Sequence, residues 1–474
     1  MYNNNLDRRG FLNGAAWMGA AAFAAGCISG ERRLFGASGA PMQGFHIKPM
    51  PVVRVGFIGC GRRGRSAVGR VAQLPGVKVT AVCDFRRECT DLANARLAEV
   101  GRPAAKAYVG EEAYKAVCDA AEVDVVYIVT DWAHHAPLGL HALRSGKHVL
   151  IEVPAAMYLD ECWELVETAE KTRLHCMQLE NCVYGEMEML GLQLVRHGVL
   201  GKIVHGECGY VHDLRNNEYE DGCNWDYWRL KWNLSHRGNQ YPTHGLGPIA
   251  WYMDINRGDR FDYLVSLEND ATHLATYARE HFPVDSWKNQ VKPVMADVNT
   301  TLIRTALGKS ITVVHDISSP RPYTRINFVQ GTKGCFWGYP CRAPDGTDNF
   351  QVGFEEDGKL GVHTFFDRDK AEQVRRRYRH PLWQSAGEVA KKIGGHGGMD
   401  FIMDLRWAYC LQNGLPLDQD VYDLAAWCSI CELSDRSVRE RSKVLDIPAD
   451  FTRGAWKAKR SLPDFDVDLK AFGI

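Results

Sequence analysis

Residues 52–64 read VVRVGFIGCGRRG, and this stretch decides the first half of the fold. Its β-branched apolar start is typical of a buried strand, and the helical spacing of apolar residues over 66–74 predicts a helix after it. The turn between them has the form G-x-G-x-x-G and contains Gly59, Gly61 and Gly64. In such turns the first glycine allows the tight bend, the second lets the backbone approach a pyrophosphate, and the third permits close helix packing. A strand, this turn and a helix together predict dinucleotide binding.

An acidic residue stands where a dinucleotide site needs one. A second apolar strand over 77–83 ends at Asp84, whose carboxylate can accept hydrogen bonds from the ribose hydroxyls. This favours NAD over NADP, because the 2′-phosphate of NADP would face a carboxylate. Four arginines could instead hold that phosphate, so NADP stays the alternative: Arg62, Arg63, Arg86 and Arg87.

The pattern of apolar residues divides the chain into two structural units. Strands over 123–129 and 148–151 alternate with helical stretches, which predicts a parallel sheet. After about residue 200 the strands lengthen and alternate in polarity, which predicts an antiparallel sheet with one exposed face. Four segments show this pattern: 203–210, 299–304, 310–315 and 325–330. Helical periodicity returns over 398–413 and 421–439.

The predicted fold class is therefore α/β. It comprises an N-terminal Rossmann domain with a doubly wound parallel sheet, over 51–175, and a C-terminal α+β domain with a largely antiparallel sheet, over 176–474. Residues 31–50 contain Gly, Pro and Ser without a sustained period and are predicted to be a linker.

Residues 1–30 have the pattern of a twin-arginine export signal. Arg8 and Arg9 precede an uncharged, Ala- and Gly-rich stretch over 14–30. The stretch is short and poor in Leu and Ile, which disfavours the alternative of a transmembrane helix. We therefore expect an exported protein, periplasmic or lipid-anchored through Cys27, whose lipidation stays open.

Composition points to a small-molecule partner. The 474 residues are 45% hydrophobic and 24% charged, with 57 Lys and Arg against 58 Asp and Glu and a formal net charge of −1. This balance gives no electrostatic reason to bind nucleic acid. The basic run over 375–380 is interpreted as a solvated face or an oligomer contact, which leaves homo-oligomerisation open. The 15 cysteines imply no disulfide framework, and the Cys428-x-x-Cys431 pair is interpreted as helix packing.

From residue 53 to about 154 the chain resembles the glucose-fructose oxidoreductase and inositol dehydrogenase-like (Gfo/Idh/MocA) enzymes. Their nucleotide domain ends with a Glu-Lys-Pro motif, which here reads Glu152-Val153-Pro154. The lysine that those dehydrogenases place beside the reacting hydroxyl is thus absent, which argues against an ordinary sugar dehydrogenase.

A resemblance to the NAD-dependent glycoside hydrolases of family 109 covers nearly the whole chain after residue 30. The activity known for that family is α-N-acetylgalactosaminidase. The matching blocks occur in the same order: WAHH at 132–135, EVPAA at 152–156, ENC at 180–182, GYVHDLR at 209–215, YPTHGLGP at 241–248, DINRG at 254–258, RPY at 321–323 and GHGGMD at 395–400.

This resemblance implies two sets of site residues. The cofactor would contact Arg62, Arg63, Asp84, Trp132, Ala133, His134, His135, Glu152, Val153 and Asn181. The sugar pocket would be lined by Tyr210, Arg229, Tyr241, Pro242, Thr243, His244 and Tyr323.

The residue types of these blocks favour proton transfer by Tyr and His. Most glycosidases use two carboxylates that flank the scissile bond, and the blocks supply no obvious pair. With bound NAD another route opens, in which oxidation of the sugar at C3 makes the C2 proton acidic. Removal of that proton expels the C1 substituent, water adds at C1, and reduction at C3 restores NAD, so the net reaction is hydrolysis.

Within this route we assign proton transfer to His244 and Tyr210. Tyr241 and Tyr323 would position the sugar, Tyr241 also counting among the catalytic candidates. A Tyr acts as a base only if a cation favours its phenolate, and Arg229 or Lys231 could supply that charge. Glu180 or Asn181 would organise the nicotinamide end.

Several alternatives stay open at this point. A net NAD(P)-dependent oxidoreductase that acts on a free sugar or cyclitol and releases the reduced cofactor would keep the same nucleotide domain. So would a noncatalytic sugar-nucleotide sensor. No metal site is expected, although His134 and His135 with His141 or His148 would be the candidate cluster. Trp225, Trp228 and Trp232 could stack on a sugar or pack in the core, and His396 could be a hinge or a catalytic group.

Overall fold

The structure is a computed structural model, and it describes residues 40–220, 222–339, 349–356, 361–447, 450–462, 465 and 467–470. The predicted export signal and Cys27 lie outside these residues. Within the described part of the chain, none of the helices combines the length and apolarity needed to span a bilayer.

The first half of the chain forms a six-stranded parallel sheet in the order β3-β2-β1-β4-β5-β6. Its strands are β1 Val53–Ile58, β2 Val77–Asp84, β3 Lys106–Val109, β4 Val125–Ile128, β5 His148–Ile151 and β6 Cys176–Gln178. The helices between them are α1 Arg62–Val71, α2 Arg87–Glu99, α3 Ala113–Asp119, α4 Trp132–Arg144 and α5 Leu159–Thr172. The order reverses at β1, so the predicted doubly wound Rossmann sheet is confirmed. It continues to Gln178, just beyond the boundary predicted at residue 175.

The second half forms an eight-stranded sheet in the order β13-β12-β11-β7-β10-β9-β8-β14. Its strands are β7 Ile203–Val211, β8 Phe261–Glu268, β9 Asn299–Thr305, β10 Ser310–Asp316, β11 Ile326–Gly331, β12 Gly334–Tyr339, β13 Gln351–Phe354 and β14 Leu445–Asp446. All neighbouring strands in it run antiparallel except β7 and β10, which run parallel. The predicted, largely antiparallel sheet is confirmed, with this one parallel pair at its centre.

Helices join and cover this second sheet. They are α6 Glu186–Arg196, α7 Arg215–Tyr219, α8 Trp228–Asn233, α9 Thr243–Tyr252, α10 His273–His281, α11 Arg368–Tyr378, α12 Pro381–Ile393, α13 Met399–Asn413 and α14 Val421–Arg439. Short 3₁₀ turns occur at Asn181–Tyr184, Trp225–Tyr227, Trp287–Asn289, His396–Gly398 and Ala455–Lys457.

Helix α14 holds the two sheets together. It packs against α5 and β6 of the first domain and against β8 of the second, and most of its residues are buried. Cys428 and Cys431 lie on it as free, buried thiols, and Cys428 Sγ lies 2.9 Å from Gln178 Oε1. The Cys-x-x-Cys pair therefore packs within a helix that fixes the position of the second domain.

The segment before β1 is more closely attached than the predicted linker suggested. Met42 is buried, and its N–H donates to Tyr422 Oη at 3.0 Å. The Arg173 guanidinium lies 4.4 Å above the ring of Phe45 and donates to the carbonyl of Pro41. Residues 40–50 thus pack on both domains.

Candidate active site

The glycine turn after β1 is shaped by close backbone packing. Gly59 has φ +91°, and a Cβ there would collide with the carbonyl of Val129. A Cβ at Gly64 would collide with the carbonyl oxygen of Gly59. A Cβ at Gly61, by contrast, would have no atom of the described part of the chain within 4 Å. The turn therefore has no room for side chains where it packs on the sheet, but it leaves space beside Gly61. A dinucleotide site needs this space for the pyrophosphate.

The start of α1 and the end of β2 complete the anion- and ribose-binding features. The first turn of α1 has no acidic residue and no side-chain cap, so its N–H groups remain available to an anion. The carboxylate of Asp84 accepts the N–H of Cys60 at 2.9 Å and that of Arg86 at 3.0 Å. These bonds fix Asp84 beside the turn, so the described residues fit a dinucleotide.

Arg63 joins the glycine turn to two carboxylates. Its Nε donates to Glu152 at 2.6 Å and its Nη1 donates to Asp400 at 2.6 Å. Asp400 also bonds to the Asn181 amide and to Nδ1 of His396. Burial alone would raise the pKa of Asp400, but Arg63 and the neighbouring Arg70 hold the pKa well below its usual value. The predicted cofactor residues Arg63, Glu152 and Asn181 thus form one network with α13.

The predicted WAHH block forms the first turn of α4, at the carboxyl edge of the parallel sheet. Asp131 caps this helix and accepts the N–H of Ala133 at 3.1 Å. His134 Nδ1 lies 2.8 Å from Asp131, and the buried ring of His135 lies between the carbonyls of Pro154 and Thr130. His134 is therefore held by the helix cap, and His135 by backbone carbonyls outside α4.

The other two histidines of the candidate metal cluster are engaged elsewhere. His141 packs edge-on against Tyr114, and His148 Nδ1 accepts the N–H of His175 at 3.0 Å. Val153, which takes the place of the motif lysine, is 4% exposed. An apolar side chain therefore stands where the related dehydrogenases carry an amine.

An aromatic cluster lies where β7 ends and α9 begins. Tyr210 is on β7, while Tyr241 and His244 flank the start of α9. The Tyr210 ring lies 4.6 Å from that of Tyr241, 5.5 Å from that of His244 and 6.2 Å from that of Tyr323. Tyr241 Oη lies 3.4 Å from Nε2 of His244. The structure thus brings the four predicted catalytic and sugar-positioning side chains together.

Pro242 and Thr243 are both buried in the loop that enters α9. Pro242 is the N-cap residue, and Thr243 is the first residue of the helix. They set the direction in which Tyr241 and His244 point, rather than offering exposed groups to a sugar.

His244 is oriented by a buried carboxylate. Glu180 Oε1 lies 2.8 Å from His244 Nδ1 and also accepts the N–H of Cys182 at 2.9 Å. Burial opposes ionisation of Glu180, but His244 and these hydrogen bonds hold its pKa below the usual value. An ionised Glu180 keeps the proton on Nδ1 and leaves Nε2 facing Tyr241. The sequence placed Glu180 at the nicotinamide end, and the structure places its carboxylate against His244.

The Glu180, Cys182 and His244 donor atoms lie within 4.8 Å of one another. The direct Glu180–His244 hydrogen bond accounts for the grouping.

Arg229 stands over the aromatic cluster. Its Cζ lies 5.0 Å from the ring of Trp132 and 5.4 Å from the ring of Tyr241, and its Nε lies 3.3 Å from Glu218 Oε1. Burial raises the pKa of Tyr210, while the nearby Arg229 charge opposes this effect without cancelling it. Tyr210 therefore remains a protonated phenol at neutral pH. Of the two predicted cation sources, Arg229 takes this place, while Lys231 pairs with Asp226 at 2.5 Å.

Three supporting residues were missed by the sequence analysis. Burial raises the pKa of Glu218 to about 7, and this group is the partner of Arg229. Arg325 donates to Tyr323 Oη at 3.0 Å and to Glu188 at 2.7 Å. Arg325 follows the RPY block by two residues, which was a usable signal. Glu218 and Glu188 stand in no recognisable motif.

The three tryptophans of residues 225–232 have different surroundings. Trp228 packs edge-on against Trp132 at 5.0 Å, and Trp232 is buried and stacked on His236 at 3.9 Å. Trp225 is 52% exposed and contacts Arg86. Core packing thus accounts for Trp232, while Trp225 reaches the nucleotide domain.

Two further predictions concern residues outside the aromatic cluster. His396 lies beside the cofactor network through Asp400, with Arg63 Nη1 3.4 Å away. In the basic run, Arg375 and Arg379 pair with Glu186. These ion pairs partly neutralise the positive charge of the basic run within the fold.

Family profiles match both halves of the chain. Residues 184–458 match the profile described as Glycosyl hydrolase 109, C-terminal domain. Residues 53–179 match the profile described as Oxidoreductase family, NAD-binding Rossmann fold.

Curated relatives match over nearly their whole length. A Glycosyl hydrolase family 109 protein of Shewanella sp. (strain W3-18-1) is 42% identical over 464 residues, which cover 97% of this chain and 99% of that protein. A protein of Shewanella oneidensis named Alpha-N-acetylgalactosaminidase is 41% identical over 469 residues, again 97% of this chain and 99% of that protein.

Solved structures share the fold. A levoglucosan dehydrogenase in complex with NADH and levoglucosan superposes with a TM-score of 0.60 at 17% identity, covering 84% of this chain and 100% of that one. Apo scyllo-inositol dehydrogenase from Lactobacillus casei has a TM-score of 0.59 at 14% identity, covering 85% and 100%. These likenesses establish the two-domain fold alone.

Proposed function

The chain belongs to glycosyl hydrolase family 109, and from this premise we propose that it hydrolyses terminal α-N-acetylgalactosaminides with NAD as a recycled cofactor. The substrate follows the relative from Shewanella oneidensis that bears this activity in its name. The NAD-binding Rossmann domain supplies the cofactor site. The observation that carries the mechanism is the Tyr210, Tyr241 and His244 cluster, with Glu180 bonded to His244.

The surroundings of the nearby carboxylates support a route without a carboxylate pair. Glu152 is bonded to Arg63, Glu180 to His244, and Glu218 lies against Arg229. All three are at most 6% exposed. A conventional glycosidase needs one carboxyl group free to protonate the leaving oxygen and a second to face the anomeric carbon. Each of these carboxylates instead interacts with a neighbouring guanidinium or imidazole.

The cofactor would be held by residues at the carboxyl edge of the parallel sheet. The open middle of the turn at Gly61 would receive the pyrophosphate, and Asp84 would accept the ribose hydroxyls. When bound, the dinucleotide would supply a hydride acceptor for C3 of the sugar and, once reduced, would return the same hydride, so that the C2 proton would be acidic in between. NAD is favoured over NADP because the fixed Asp84 carboxylate would repel a 2′-phosphate.

His244 is the base that removes the C2 proton in this proposal. Glu180 holds the proton of the neutral imidazole on Nδ1 and stabilises the imidazolium that forms when Nε2 accepts a second proton. Tyr241 Oη, 3.4 Å from Nε2, orients the sugar beside it.

Tyr210 is the acid. Burial keeps its phenol protonated, and Arg229 stabilises the negative charge that develops when the proton leaves. Tyr210 therefore donates its proton to the departing C1 oxygen. When water adds at C1, Tyr210 takes a proton from the water and His244 returns one to C2, which restores both groups.

A substrate assay separates this function from net sugar oxidation. Purified protein is incubated with nitrophenyl α-N-acetylgalactosaminide, and nitrophenol and NADH absorbance are followed together. We expect release of nitrophenol over many turnovers without a stoichiometric rise of NADH. Accumulation of NADH with an intact glycoside would contradict the proposal and favour the oxidoreductase.

A further inference from the structure

Residues 222–227 of the second domain extend onto the nucleotide domain. Trp225 lies with its ring 4.1 Å from the Arg86 guanidinium carbon and 5.8 Å from the ring of Phe85. Two residues earlier, Cys223 Sγ lies 3.6 Å from Nη1 of Arg62. Arg62 belongs to the glycine turn and Arg86 follows the end of β2. The segment therefore contacts both walls of the predicted adenosine end of the dinucleotide site.

Arg86 is placed to bind the nucleotide but lacks one partner. Its N–H donates to Asp84 Oδ1 at 3.0 Å, and its Nε lies 3.8 Å from the same oxygen. That Nε is buried and has no hydrogen-bond acceptor among the residues that the structure describes. A buried donor without an acceptor is costly. A ribose hydroxyl or an adenine nitrogen bound beside Asp84 would supply the missing acceptor.

The residues that follow Trp225 fix the position of its side chain. The next residues, Asp226 and Tyr227, both have φ +52°, which is unfavourable for residues other than glycine. Lys231 holds Asp226 at 2.5 Å, and the Tyr227 ring packs edge-on against Trp287 at 5.0 Å. These contacts maintain a strained turn whose effect is to present the Trp225 ring to Arg86.

We propose that Trp225 is a nucleotide-retaining residue that closes the adenosine end of the NAD site from the second domain. By stacking on Arg86 it fixes the guanidinium with Nε available to the ribose or adenine. Dissociation of NAD then requires this contact to open. The inference rests on the proposed function, because only a cofactor that is recycled needs to remain bound between turnovers. Retention would also suit the export of a folded protein predicted from residues 1–30.

The test measures dissociation of NAD without any glycoside present. The full chain is loaded with radiolabelled NAD and chased with excess unlabelled NAD, and the retained label is followed with time. We expect Trp225→Ala to release NAD at least about tenfold faster than the wild type. Trp225→Phe, which keeps an aromatic face for Arg86, should restore most of the slow release. Arg86→Ala should release NAD at least as fast as Trp225→Ala does, and the double variant should release it no faster than Arg86→Ala.

Trp456→Ala serves as the matched control, because this tryptophan of the second domain lies over Arg260. It should release NAD at the wild-type rate. Equal rates of NAD release for the wild type and Trp225→Ala would overturn the inference. It would also be overturned if Trp225→Phe released NAD as fast as Trp225→Ala while unfolding at the wild-type temperature. A protein that retains NAD through Trp225 but cleaves no α-N-acetylgalactosaminide would refute the proposed function and leave this inference intact.

Discussion

Glu180 Oε1 lies 2.8 Å from His244 Nδ1 and joins the end of the parallel sheet to the first turn of α9. Glu180 is fully buried and His244 is partly exposed, so the pair presents one ring nitrogen towards Tyr241. This relationship gives His244 a defined tautomer beside the proposed sugar site. It is the basis for assigning His244 as the base.

The Glu180→Gln variant tests that assignment. A neutral amide cannot stabilise the imidazolium, so we expect kcat to fall about a hundredfold or more with little change in KM. Glu207→Gln, at a partly exposed position on β7, is the matched control and should retain wild-type kcat. Steady-state kinetics with the nitrophenyl glycoside provide the measurement. An unchanged kcat in Glu180→Gln would remove Glu180 from the mechanism.

The role of Tyr210 as acid predicts a dependence on the leaving group. Tyr210→Phe removes the proton donor, so an alkyl glycoside, whose alcohol leaves poorly, should lose about 10²–10⁴-fold in kcat. The nitrophenyl glycoside needs little protonation and should lose much less. Comparing kcat for the two substrates in wild type and variant provides the check. Equal losses would indicate that Tyr210 positions the sugar rather than protonating the leaving group.

Two glycines of the same turn should respond differently to alanine. Gly61→Ala places its Cβ in open space, so the variant should fold with wild-type thermal stability but bind NAD more weakly, because the methyl group obstructs the pyrophosphate. Gly64→Ala forces its Cβ against Gly59 and should lower the unfolding temperature. Calorimetry of unfolding and of NAD binding distinguishes the two effects. Wild-type NAD affinity in Gly61→Ala would place the pyrophosphate elsewhere.

Much of the nucleotide domain could be predicted from sequence because its signals are local. The strand, glycine turn, helix and Asp84 occur within one short stretch, and the structure has β1, α1 and β2 there. The residues proposed for the sugar site, Tyr210, Tyr241 and His244, were selected through motif blocks. Their spatial proximity is a consequence of the sheet, which places β7 beside α9.

Contacts between distant segments could not be predicted in the same way. The parallel pairing of β7 with β10 depends on how the intervening strands are ordered in space. Glu180 or Asn181 was assigned to the nicotinamide end within the ENC block, and the contact of Glu180 with His244 depends on the packing of α9. The Trp225–Arg86 contact links two domains, and neither residue alone indicates it.

Asp400 makes a pH-dependent contribution to stability. Its folded pKa lies well below the usual value of about 3.9. Its contribution is therefore complete above the unfolded pKa and is lost as the pH falls through the folded value. Asp400→Asn should lower the free energy of unfolding by about 3–5 kcal/mol at neutral pH, because it leaves Arg63 and Arg70 without this charge.

The measurement for Asp400 is thermal unfolding over a pH series. The difference between wild type and Asp400→Asn should narrow as the pH falls below about 4. Asp91→Asn, at an exposed position on α2, is the control and should unfold like the wild type. A difference that is constant over the whole series would show that the Asp400 charge contributes nothing.

In the proposed route the glycosidic bond breaks only after the C2 proton has been removed. Hydrolysis in deuterium oxide tests this directly, with the released N-acetylgalactosamine examined by NMR and mass spectrometry. We expect deuterium at C2 of the product, because the base exchanges its proton with solvent before returning it. Product that keeps its original hydrogen at C2, formed at the full rate, would show that the bond breaks without removal of this proton.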